Sequence, residues 1–266
     1  MYGITTDDEI PIACRTEQTA WDDLIAGIWC SVLAPFFLPQ AQTAVEIGPG
    51  LSCKIAMAFA KLKFHGKVYV VDASKNAAVT MERKYREYCP DAEIISLHKG
   101  LRELLPELPV QPDLLLLSHA IDDMLMYEAT RHSPQANRIF DWCAHNAYEL
   151  APTKLYHEVW RQIEQNPVEL QKTKEQVLKL LIDLVKTVRP KVMVLSQYPS
   201  ATLTENGLGN MNDHTHDVFL ELNKRLSSHL WPTAKIQSLL DKNKNYNHDH
   251  IGNNILNASH WLIYED

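Results

Sequence analysis

Short runs of consecutive apolar residues alternate along this chain with longer stretches in which apolar residues recur every three or four positions. The first pattern predicts strands covered on both faces and the second amphipathic helices. Their alternation predicts an α/β fold around a mostly parallel sheet. Seven strand runs are read, at residues 43–47, 67–71, 92–97, 112–117, 191–196, 233–239 and 259–265. A helical stripe over residues 16–33 (Trp21, Leu24, Ile25, Ile28, Trp29, Val32, Leu33) ends before Pro35 and makes residues 1–40 an N-terminal helical extension. After the first strand Ser52 is placed to cap a helix carrying Ile55, Ala58, Phe59 and Leu62, and Ser74 to cap another over residues 75–88.

The segment between the fourth and fifth strands is far longer than one crossover helix requires. Its last helix begins with Asn166-Pro167-Val168-Glu169, an Asn cap with Pro at the first helical position and Glu at the third, and Pro190 stops it. Two surplus helices, over residues 135–150 and 153–165, make residues 127–166 a helical cap insertion, with Tyr127, Trp142, Tyr148, Tyr156 and Trp160 as candidate substrate-pocket residues. Residues 198–214 are polar and rich in Gly and Asn, which predicts a loop, either a lid or a disordered stretch, before a helix over 215–230. The whole, residues 1–266, reads as one domain.

The chemistry concentrates at the end of the first strand. Glu46-Ile47-Gly48-Pro49-Gly50 places two of only nine glycines around one proline, where a strand turns into a helix. A glycine turn above a helix N-terminus is where a nucleotide-like ligand sits in a doubly wound sheet. The second strand then ends at Asp72, about 20 residues on, where an acid can accept hydrogen bonds from ribose hydroxyls. A dinucleotide site would carry a third glycine where this chain has Cys53, and the acid Glu46 suits a ligand with a cationic end better than a pyrophosphate. Both features disfavour a nicotinamide dehydrogenase.

The pattern Val45-Glu46-Ile47-Gly48-Pro49-Gly50 with Val71-Asp72 downstream resembles the first motif and second-strand acid of the class I S-adenosylmethionine-dependent methyltransferases, over about residues 43–124. The resemblance implies a Rossmann-like doubly wound seven-stranded sheet whose last strands form an antiparallel pair. It also implies an S-adenosyl-L-methionine site beneath Gly48, Pro49 and Gly50, with Glu46 near the methionine end, Asp72 on the ribose, and Ala73 and Ser74 beside it. Where that family often places an acid after the third strand, this chain has His98-Lys99-Gly100-Leu101, so the backbone at Gly100 and Leu101 is the expected adenine contact.

The fourth strand leads into Ser118-His119-Ala120-Ile121-Asp122-Asp123-Met124, the segment that faces the transferred methyl in that family. Ser118 joins the cofactor-binding set. If a helix starts near Ser118, His119 and Asp123 share a face, so that Asp123 orients His119 for taking a proton from the substrate. The metal-dependent subclass places an acid after the fourth strand and an Asp-Asn pair after the fifth; Asp122 fits the first, Gln197-Tyr198-Pro199 does not fit the second. No metal site is assigned, although Asp213-His214-Thr215-His216-Asp217 and His248-Asp249-His250 carry ligand-type residues.

Charge and cysteine usage narrow the substrate. A net charge of −7 without any dense basic run argues against nucleic acid and for a small-molecule acceptor. The five cysteines are odd in number and lack C-x-x-C spacing, which predicts free thiols in a reducing, cytoplasmic setting. No signal-type or membrane-spanning stretch is read, and the apolar stripe of the first helix leaves a homodimer face open. The function expected is methyl transfer to an O, N or S atom of a small metabolite. Aminocarboxypropyl transfer from the same cofactor, and a non-catalytic binding module that keeps the fold, are the alternatives.

Overall fold

The computed structural model describes residues 12–36, 43–132, 154–200, 203–204, 207–243 and 255–266, with side chains from Asp22 onward in the first helix and from Tyr156 onward in the helix that starts at Lys154. Among the described residues six strands form one sheet: β1 (Thr43–Ile47), β2 (Lys67–Asp72), β3 (Glu93–His98), β4 (Leu114–Ser118), β5 (Val192–Ser196) and β6 (Trp261–Glu265). Their order is β3-β2-β1-β4-β5-β6. All neighbours are parallel except β6, which runs antiparallel to β5.

Alternate residues of the central strands serve two separate cores, as the uninterrupted apolar runs require. Leu114, Leu116, Val192 and Val194 face Trp29, Phe59 and Met81 on one side. Leu115, Leu117, Met193 and Leu195 face Leu180, Leu184 and Phe219 on the other. The first side is covered by α1 (Ile12–Leu33), α2 (Lys54–Leu62) and α3 (Lys75–Tyr88). The short α4 (Leu101–Leu104) follows β3, and α5 (Ile121–Thr130) follows β4. Beyond α6 (Lys154–Glu164), α7 (Pro167–Val188) and α8 (Gly209–Arg225) pack with α5 over the second side.

Local signals set several boundaries. Asn166 caps α7 by accepting a 3.2 Å bond from the Glu169 amide, with Pro167 at the first position. Ser74 caps α3 by accepting from Ala77 N at 3.3 Å. Ser52 does not cap α2: its hydroxyl donates to Asp22 of α1 at 2.6 Å, and the helix starts one residue later, behind Cys53. The side chain is claimed by a neighbouring helix, which local spacing does not reveal.

The strand expected at 233–239 is instead a helix, α9 (Thr233–Leu240), which packs against α1. Ile236, Leu239 and Leu240 recur at helical spacing and are buried. Pro232 has no amide proton to extend a ladder, and it stands at the head of the helix. What remains of a seventh strand is one bridge, Leu230 to Tyr264, and a 2.9 Å bond from Trp231 N to Ile263 O. The loop expected at 198–214 is also shorter than read, because α8 begins at Gly209.

Of the proposed cap, residues 135–150 lie outside the described residues, while α6 falls where expected. Tyr156 and Trp160 on α6 are core residues, packed with Met126, Leu170 and Met211 rather than lining a pocket. Trp29 likewise packs on Trp261, with ring centroids 5.0 Å apart, and is fully buried. Cys30, Cys53 and Cys89 carry free thiols. No described helix is long and apolar enough to cross a membrane.

Replacing Asn166 by Ala removes the acceptor for the first turn of α7 and is expected to lower unfolding free energy by about 1 kcal/mol. Urea unfolding of the two proteins measures it.

Candidate functional site

The turn after β1 is folded over the end of β2. Gly48 N donates to Val71 O at 2.8 Å, and Gly48 and Gly50 both adopt left-handed backbone, φ 63° and 59°. A Cβ on Gly48 would come within 3.1 Å of that of Ala120, the residue that leads from β4 into α5. Here the glycine is needed for conformation and for close approach together.

Asp72 closes the arrangement. One carboxylate oxygen accepts from Gly50 N at 3.1 Å, the other from Ser74 N at 2.7 Å, so a single side chain ties the β1 turn to the β2 turn. Burial pushes its carboxyl up to about 6, while the two amides act in the opposite direction.

Beside this tie lies a cavity of about 200 Å³. Gly48, Gly50, Asp72, Ala73 and Ser74 form one wall, and Leu101, Met124 and Leu180 are among its apolar residues. Helix α5 supplies much of the facing wall through Asp123, Met124, Tyr127 and Glu128, which share one helical face by three- and four-residue spacing. The cavity therefore lies outside the carboxyl ends of β1, β2 and β4, where the strand order reverses.

The other expected site residues frame the cavity without forming its wall. Glu46 points into the core under α3, where its carboxylate accepts a 2.6 Å bond from Tyr85 OH. Burial pushes Glu46 up to about 7, against the pull of that hydroxyl and of the Lys54 charge. Pro49 lies between the two left-handed glycines and is not part of the cavity wall. Gly100 caps α4, and the Tyr127 hydroxyl and Glu103 fill the space a side chain there would need. Ser118 is buried between β4 and β5 with its hydroxyl 3.3 Å from that of Ser196.

His119 and Asp123 do not share a face. Helix α5 starts at Ile121, so His119 precedes it, in left-handed backbone with φ 57°. Its partner is Asp122, with Nδ1 3.3 Å from Oδ2, while Asp123 faces the cavity instead. The His119 ring lies 4.9 Å from that of Tyr198, and its Nε2 is buried with no hydrogen-bond partner among the described residues. Burial alone would lower the His119 pKa, but the charge and hydrogen bond of Asp122 outweigh it and raise it. Asp123 is driven up, by burial first and then by its Asp122 and Asp72 neighbours. A strained, ion-paired histidine at a strand end is the kind of outlier that accompanies function.

Sequence reading missed Lys54. It is 6% exposed, and its charge acts on Glu46, His119, Asp123 and Tyr198. A signal existed: a lysine in the first turn of a helix opposes the helix dipole, so a local cluster of acids must hold it there. Glu128 was missed because nothing in the neighbouring sequence marks it; the face it shares with Met124 brings it to the cavity.

The cluster 213–217 lies on α8, not in a loop, and His214 and His216 turn to different neighbours, Trp160 and Phe219. Among the described residues no three His, Cys, Asp or Glu side chains converge as a metal group. His248, Asp249 and His250, like Trp142 and Tyr148, lie outside the described residues.

Stability should report the buried acid. The folded chain holds the Glu46 proton up to about pH 7, whereas the unfolded chain releases it near 4.5, so stability falls as pH rises through that window. Glu46→Gln keeps an acceptor for Tyr85, flattens this slope, and gains up to about 3 kcal/mol at pH 8. Urea unfolding at a series of pH values measures it. No family model matches this chain and no curated protein matches it, so the chemistry of the site rests on its own geometry.

Proposed function

We propose that this protein is an S-adenosylmethionine-dependent enzyme that transfers a methyl group to an O, N or S atom of a small molecule. The observation that carries the reading is the Asp72 tie. A carboxylate at the tip of β2 holds the Gly50 and Ser74 amides and forms part of the wall of a cavity beside a Gly-Pro-Gly turn. Each of its oxygens keeps a further acceptor direction for a ribose hydroxyl. The strand order, with helices over both faces, agrees with a Rossmann-like doubly wound sheet whose ligand lies at the point of reversal.

When bound, S-adenosylmethionine supplies an electrophilic methyl on a sulfonium. Its positive charge would be offset by Asp72 in the cavity wall, whereas Asp123, pushed up to about 8 by burial and its acidic neighbours, would meet it as a neutral acid. His119, at the exit of β4 and outside the cavity wall, is the base we assign to the acceptor. In neutral His119, an Nδ1 proton held by Asp122 leaves Nε2 with a free lone pair, ready to take the proton that a hydroxyl or amine loses as its bond to carbon forms. Asp122 then stabilises the imidazolium. The chain's net charge of −7 supports a small acceptor over a nucleic acid.

S-adenosylhomocysteine is expected to bind the protein in titration calorimetry, and Asp72→Ala to weaken that binding at least about tenfold, the weight of one charge-assisted hydrogen bond. Absence of binding to the wild type overturns the reading. Separately, the His119 ring signals in an NMR titration are expected to shift with a midpoint above the ordinary 6.5, and Asp122→Asn to bring that midpoint down.

A further inference from the structure

Two carboxylates share the cavity, and their surroundings differ. Asp72 and Asp123 both form part of its wall. Asp72 is held as an acceptor by the Gly50 and Ser74 amides, at 3.1 and 2.7 Å. The Asp123 carboxyl has no hydrogen bond and no ion pair among the described residues. Its oxygens are not shut away, as Oδ1 of Asp122 and Oε1 of Glu128 are, and the side chain is only partly buried. Two like charges in one cavity walled by Leu101, Met124 and Leu180 oppose each other's ionisation. The acid with two amide donors keeps its charge, and the acid with none keeps its proton.

The groups around Asp123 agree with this division. Burial weighs first against its charge, and Asp122 beside it and Asp72 across from it add to the effect. Lys54 of α2 and His119 at the exit of β4 act in the opposite direction without overcoming it. The remaining titratable groups of the cavity wall are Tyr127, Lys99, which is paired with Glu107, and Glu128, which is held by Arg102 and Arg131. Helices α7 and α8 pack on α5 through apolar residues, Leu180 and Phe219 among them. The empty cavity thus holds one charge and one proton, and a cation is the ligand that alters this state. A unit positive charge within about 8 Å, in partly desolvated surroundings, favours ionisation about thirtyfold.

We infer that Asp123 senses the charge on the ligand's sulfur: it releases its proton to solvent when a sulfonium enters the cavity and stays protonated beside a neutral thioether, so that it selects the unspent cofactor over its demethylated product. The inference rests on the cofactor reading above and names the residue that separates cofactor from product. Once the sulfur is neutral, Asp123 regains a proton from solvent, and its attraction for the ligand lapses.

Titration calorimetry at pH 7 in phosphate and in Tris, whose ionisation heats differ, counts the protons exchanged on binding. On binding S-adenosylmethionine, wild type is expected to release at least about half a proton more than Asp123→Asn. On binding S-adenosylhomocysteine the two proteins are expected to release the same amount. Comparing the proteins cancels the titration of the ligand's own amino group. The preference for S-adenosylmethionine over S-adenosylhomocysteine is expected to rise about tenfold more in wild type than in Asp123→Asn between pH 6 and pH 8.5. Thermal melts establish that the variant is folded. If it is not, the assigned Asp123 carboxyl carbon in NMR spectra of labelled wild type decides: it is expected to move to its ionised position with S-adenosylmethionine and not with S-adenosylhomocysteine, and absence of that movement overturns the inference. No difference between the proteins with S-adenosylmethionine, or an equal difference with both ligands, overturns the inference and leaves the cofactor reading in place. Binding of neither ligand to wild type overturns both.

Discussion

One carboxylate holds the two cavity-facing turns in register. Asp72 accepts a backbone amide from each, so the glycine turn after β1 and the cap of α3 after β2 cannot drift apart without unpairing a buried acid. The parallel pairing of β1 with β2 brings the strand ends level, Ile47 beside Val71. The left-handed glycines then bend the chain back far enough for Gly50 N to reach the acid. Neither half makes the site alone: the turn gives amides without an acceptor, the acid gives an acceptor without donors.

Polar groups are buried around this tie on both sides of the sheet. On the α2–α3 side, Glu46 and Tyr85 form a pair inside an apolar core, with the acid raised toward neutrality by desolvation. On the exit of β4, Ala120 and Ile121 start α5 so abruptly that His119 is left in left-handed backbone with Asp122 as its partner. Such a site stores destabilisation that the two large cores offset, and it concentrates acids, a lysine and a histidine within reach of one another.

Much of this arrangement is legible in the chain, because it is written in short range. The Gly-Pro-Gly turn, the apolar run that ends at Asp72 and the Asn166-Pro167 start of α7 each depend on a few consecutive residues. The failures share a cause in longer-range packing. Residues 233–239 have β-compatible composition, but Pro232 and the surface of α1 decide for a helix. Ser52 looks like a cap until Asp22, thirty residues earlier, takes its hydroxyl. His119 was matched to the wrong acid because α5 starts at Ile121 rather than near Ser118, which leaves His119 outside the helix. Glu128 carries no local mark at all; only the helix face that it shares with Asp123 and Met124 brings it to the cavity.

The truncated last hairpin has a consequence for how the sheet ends. Among the described residues, with one bridge at Leu230 and a proline directly after Trp231, β6 is a border strand that a second copy of the chain could template on. The turn of the backbone into α9 works as a bung at that border: Trp231 is pinned to Glu265 at 2.7 Å, and Lys235 lies over the indole face. A bulky ring and charges of both signs thus stand where an intruding strand would have to zip, a guard against fibre-like growth rather than an invitation to it.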